Sequence, residues 1–172
     1  MISPSELVTD ANVTSFTASG GSKFPHMSHK DVAVWEAFLS VHLFSFDRVI
    51  YDVSVGGKAA RRIADDHELK VMWKTLIAKR IDAVMFTGND VLATEVKPVA
   101  NMSALGQALT YSFLWNSEGR SAIKARPCVV CSKVDDDVEE VYQFYGVLVI
   151  VVSLLADGQP AELVKVLGRL PV

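Results

Sequence analysis

Residues 81–98 read IDAVMFTGNDVLATEVKP. Two runs rich in apolar and β-branched side chains, 81–87 and 90–98, flank Gly88-Asn89. That pattern predicts an antiparallel hairpin closed by a two-residue type I′ or II′ turn. A loop of two residues pairs Thr87 with Asp90 and, counting outward, Asp82 with Glu95. Facing side chains in such a pair lie roughly 5 Å apart. Lys97, two residues beyond Glu95, shares their face. A loop of three residues would set Asp82 opposite Val96 instead.

Working outward, residues 29–44 place Val32, Trp35, Phe38 and Leu39 at helical spacing, with Asp31 at the start to cap it or complement its dipole. Residues 47–55 alternate as a strand and stop at Gly56-Gly57. Residues 64–80 are expected as a helix with Leu69, Met72, Trp73 and Leu76 on one side. After the hairpin, residues 103–115 predict a helix with Leu105, Ala108, Leu109 and Phe113 along its apolar stripe. A buried strand at 127–134 and an acid-headed helix at 135–146 follow, then a second buried strand at 147–152. The tail 161–170 is expected as a last short helix. The order α-β-α-β-β-α-β-α-β specifies an α/β fold: a mixed β-sheet flanked by helices. The final β-α-β is a parallel pair with a right-handed crossover. Residues 1–28 are polar and aperiodic, an arm that is flexible or docks a partner, and 29–172 form a single domain.

The chain has 172 residues, half of them hydrophobic, enough for one core without disulfides or a structural metal. It contains no apolar run of about 18 residues, so no membrane helix is expected. The N-terminus lacks the pattern of a secretory signal, and the expected location is cytoplasmic. Cys128 and Cys131 sit three apart on a strand and point to opposite faces. They read as buried free thiols, suited to a reducing compartment. His26 and His29 read as loop histidines, and Trp35, Trp73 and Trp115 as core. The net charge of −3 argues against a protein that coats nucleic acid non-specifically. Basic residues nonetheless gather between Lys58 and Arg80, and Lys79-Arg80 could touch phosphate or simply flank a strand.

Two facing carboxylates destabilise a sheet unless positive charge lies between them. Lys97 alone could supply it, as a structural ion-pair cluster. A divalent cation would do so better. Asp82, Glu95 and the carbonyl of Val96 offer the oxygen donors that Mg²⁺ or Mn²⁺ takes. Such a metal activates water and polarises a phosphoryl oxygen, and a neighbouring lysine stabilises the developing charge.

Asp82 followed by Glu95-Val96-Lys97 resembles the D…(D/E)xK signature of the PD-(D/E)xK nuclease superfamily, with its restriction-endonuclease-like core. Gln107 and Tyr111 in QALTY are similar to the QxxxY motif of the RecB-like branch, and their spacing puts both on one helix face. The upstream helix holds Glu36 where many members carry an acidic residue that supports the metal. Ile81 stands where the family name has proline, and the helix at 64–80 is extra to the simple core. The resemblance implies a Mg²⁺- or Mn²⁺-dependent nuclease acting on DNA. Asp82, Glu95, Lys97, Gln107 and Tyr111 would be catalytic, and Asp82, Glu95, Val96 and Glu36 would hold the metal. It also implies a phage or mobile-element origin, with host cytoplasm or virion as the location. Dimers are common in this fold, and the N-terminal arm offers a place for a protein partner. The rival expectation is a non-catalytic structural or adaptor protein, such as a virion or assembly component, built on the same fold.

Overall fold

The computed structural model describes residues 24, 26–57, 72, 76–154 and 160–171. Six strands form one mixed sheet in chain order: β1 (Arg48–Val55), β2 (Lys79–Thr87), β3 (Asp90–Ala100), β4 (Ala125–Val134), β5 (Leu148–Val152) and β6 (Leu163–Leu167). β2 runs antiparallel to both β1 and β3, while β3, β4 and β5 run parallel, and β6 returns antiparallel to β5. The β2–β3 register is the one the two-residue loop dictates, with Thr87 opposite Asp90 and Ala83 opposite Thr94. Of the two loop residues only Gly88 takes a positive φ, the pattern of a type II′ turn. Asp47 fastens this turn by accepting a hydrogen bond from Gly88 N at 2.7 Å.

Three helices complete the described architecture: α1 (His29–Val41), α2 (Met102–Ser117) and α3 (Glu139–Phe144), the last preceded by a 3-10 turn at Asp136–Val138. α2 links β3 to β4, and α3 links β4 to β5, as parallel neighbours require. Ser28 and Asp31 close a reciprocal capping box on α1. Asn101 caps α2 by accepting from Ala104 N at 3.1 Å. One face of the sheet buries Ala83, Met85, Leu92, Val96, Cys128, Val130 and Ile150 against Val34, Trp35 and Phe38 of α1. The other meets α2 through Val129, Cys131 and Val149 with Leu105 and Ala108, and through Val84, Val91 and Ala93 with Tyr111 and Trp115. Cys128 and Cys131 thus lie on opposite faces, both buried and free. Burial pushes both thiols up to about 12. The end of the polar arm joins the core, because Phe24 is buried and stacks on Tyr51 at 5.3 Å.

The tail differs from its expected form. Residues 163–167 are strand β6, not a helix. LVKVL is rich in β-branched valine, and β5 would otherwise leave an edge of unpaired backbone groups. Pairing Val149 with Leu167 and Ile150 with Val166 satisfies that edge. Most of the helix expected at 64–80, Trp73 included, lies outside the described residues. Its last two positions belong to β2, where Lys79 pairs with Val55 and Arg80 with Ser54. Arg80 is held there by both carboxylate oxygens of Asp52, so local helical periodicity gives way to a cross-strand ion pair.

Candidate functional site

The hairpin pairs down to Ala83 and Thr94, and there the two strands part. β2 continues with β1 as far as Lys79, and β3 continues with β4 as far as Ala100. Asp82 and Glu95 are the first residues beyond the split. Asp82 takes over the lost ladder bond: its Oδ2 accepts from Val96 N at 2.8 Å. The Val96 amide is buried and would otherwise have no partner at the split, which explains why a short carboxylate stands here. The Val96 side chain turns to the α1 face of the sheet.

Glu95 is 1 % exposed. Among the described residues neither of its carboxylate oxygens makes a hydrogen bond. Lys97 Nζ stands 3.0 Å from Oε1. Lys97 keeps about a third of its side chain in solvent and also faces Asp31 Oδ2 at 3.8 Å. The acid that α1 brings to the cluster is therefore Asp31. Glu36 is half-buried on the same helix, five residues on and about 140° around its axis. In the sequence the position of Asp31 reads as a helix cap, and it is one: its Oδ2 accepts from Ser28 N at 3.0 Å. Only the approach of α1 to β3 gives the carboxylate a second use.

Two carboxylates thus contact one ammonium, and the charge of Asp82 acts on it as well. Burial, followed by the charge of Asp82, pushes Glu95 up to about 8, against the pull of Lys97. Burial also raises Asp82, partly offset by the Val96 N–H and by Lys97. Burial lowers Lys97, but Glu95, Asp82 and Asp31 together outweigh it, and the net direction is upward. A cluster with this surplus of negative charge favours a proton or a cation.

Gln107 and Tyr111 adjoin the cluster from α2. Gln107 Nε2 donates to the Tyr111 hydroxyl at 3.1 Å, and Ser103 Oγ donates to Gln107 Oε1 at 3.3 Å. This chain follows one helix face, as the i, i+4 spacing dictates. Burial and then the Glu95 charge raise Tyr111 to about 12, so its hydroxyl stays a neutral proton donor beside the carboxylates.

The donor set fits a hard cation. Among the described residues no three His, Cys, Asp or Glu side chains gather as a metal-holding group. Mg²⁺ commonly takes one or two carboxylates and fills the remaining positions with water and substrate oxygens. Asp82 and Glu95 supply two, and the unpartnered buried Oε2 of Glu95 is the atom that such an ion would satisfy.

The other charged candidates have separate tasks. Arg80 also donates to Ser54 Oγ at 3.1 Å and to Asp52 O at 3.2 Å, so it is built into the β1–β2 edge. His26 faces the same Asp52 at 3.3 Å. In the acidic run, Asp135 caps the 3-10 turn, and Glu139 pairs with Lys165 of β6 at 2.5 Å. Among the described residues no helix is long and apolar enough to cross a membrane. No protein-family model, curated protein or solved structure matches this chain.

Proposed function

We propose that this protein is a metal-dependent nuclease that hydrolyses DNA phosphodiester bonds, built on a PD-(D/E)xK-like core of the RecB-like branch. One observation carries the reading. Glu95 is a fully buried carboxylate with an unpartnered oxygen, set beside Asp82 and Lys97 where two strands part. Burying such a group costs several kcal/mol unless it is compensated. A catalytic cation gives the arrangement a purpose that packing alone does not.

Asp82 and Glu95, with the Val96 carbonyl, would hold Mg²⁺ or Mn²⁺. When bound, the ion supplies Lewis acidity toward a phosphoryl oxygen and makes a coordinated water easier to deprotonate. The rest belongs to the chain's own groups. Lys97, partly open to solvent, orients the attacking water and stabilises charge on the phosphate oxygens. Tyr111, held neutral and oriented by Gln107, donates a hydrogen bond toward the reacting phosphate. Asp82 retains Val96 N–H and so holds the two strands at the spacing the site needs.

The test is incubation with circular single-stranded and supercoiled double-stranded DNA, in Mg²⁺, Mn²⁺ or EDTA. Wild-type protein should cut in metal and not in EDTA. Glu95→Ala, Lys97→Ala and Asp82→Asn should each lose at least about 100-fold in rate. Asp82→Asn should still fold, because the amide oxygen can accept from Val96 N. Cutting that persists at full rate in all three variants would remove the site from the reaction. Absence of both cutting and metal binding in the wild type would instead favour a structural or adaptor protein with a buried ion-pair cluster.

A further inference from the structure

Lys97 has two carboxylate partners and one charge. Its Nζ lies 3.0 Å from Glu95 Oε1 and 3.8 Å from Asp31 Oδ2. Glu95 is the atom set a cation needs, so in the metal-free protein the ammonium competes for the same carboxylate. Asp31 is buried, and its Oδ2 is fixed by the capping box rather than by solvent. It is therefore a rigid negative group, in place before any ligand arrives. Nothing in helix capping requires that this carboxylate also lie within reach of a lysine on β3.

We infer that Asp31 is a positioning residue that receives the Lys97 ammonium when a cation takes Glu95, so that Lys97 is carried off the metal ligand yet kept beside the site. The inference rests on the metal-dependent reading above. An incoming cation neutralises Glu95 and repels Lys97, and the nearest uncompensated carboxylate for the displaced ammonium is Asp31. The shift is small, because both partners already lie within 4 Å of Nζ. Its consequence is that one helix cap sets both the metal affinity and the placement of the catalytic lysine. Without Asp31 the ammonium stays on Glu95, and metal binding weakens.

A double-mutant cycle read by calorimetry with Ca²⁺ and Mg²⁺, on the full chain without DNA, tests this. Asp31→Asn keeps an oxygen to accept from Ser28 N and removes only the charge. It should weaken cation binding about tenfold. Lys97→Ala should tighten it, and adding Asp31→Asn to Lys97→Ala should then change affinity by about twofold or less. Ser28→Ala should lower the melting temperature and leave cation affinity unchanged. Should Asp31→Asn fail to fold, Asp31→Ser takes its place in the cycle. An equal tenfold loss with and without Lys97 would make Asp31 act on the cation directly and would overturn the inference. So would unchanged affinity in Asp31→Asn with a lowered melting temperature, the signature of a cap alone. Either result leaves the metal site standing. No cation binding by the wild type or by Lys97→Ala would remove both.

Discussion

Glu95 is buried beside a second carboxylate, and both burial and that neighbour disfavour its charged form. Its carboxyl is raised to about 8, well above the ordinary value of 4.5, with burial as the main cause. An acid that holds its proton more tightly folded than unfolded costs stability as it ionises. The contribution of this group to the stability of the metal-free protein should therefore be fully present below the unfolded value and be lost as pH rises from about 5 through about 8. Between those limits the melting temperature should fall by about 5 °C or more. Glu95→Gln should remove most of that slope, and, on the proposed metal-dependent reading, millimolar Mg²⁺ should restore wild-type stability at the alkaline end. Thermal melts at several pH values check this. A Glu95→Gln slope equal to that of the wild type would place the burial cost elsewhere.

At the scale of the element, β6 shows how a local pattern is settled by what lies beside it. Residues 161–170 carry apolar side chains at spacings compatible with a helix turn, yet the segment pairs with β5. Gly168 ends the strand at φ +91, and a Cβ there would meet Leu148 Cα and Val147 O, each at 3.4 Å. A side chain is therefore strained by its own backbone, while its Cβ would only touch the neighbouring strand. Gly168→Ala should destabilise the fold by about 1–2 kcal/mol, read as a lower urea midpoint with an unchanged slope. On the proposed nuclease reading, DNA cleavage below the transition should be unaffected, since β6 lies three strands from Glu95. A lowered slope instead would mean that β6 unfolds separately from the rest of the sheet.

At the scale of the whole molecule, the sheet is covered on one face by α1 and on the other by α2, and each face buries one cysteine. The thiols lie on one strand yet belong to different cores. Their values near 12 leave almost no thiolate at neutral pH. A colorimetric thiol reagent should label neither in the native protein and both after denaturation. Rapid labelling of one thiol alone in native buffer would show that one face of the sheet opens independently. The site falls between the two covered faces: α1 sends in Asp31, and α2 lines the other side with Gln107 and Tyr111.

Features that depend on neighbours a few residues apart were legible in the order of the amino acids. The Gly88-Asn89 turn and period-two alternation set the hairpin register as far as Ala83 and Thr94, and Asp82 and Glu95 come just past that last pair. Helical spacing aligned Gln107 with Tyr111, and strand spacing sent Cys128 and Cys131 to opposite faces. Tertiary structure alone decided where β2 and β3 separate, because that depends on β1 and β4 drawing the strands apart. It also decided that the tail would be a strand, since an open edge on β5 outweighs a weak local preference. It gave Asp31 a place in the cluster, because helix position within the chain does not tell which strand a cap will face. Local periodicity records which side of an element a residue occupies. Which charges meet across elements is set by packing, whose partners lie far apart in the chain.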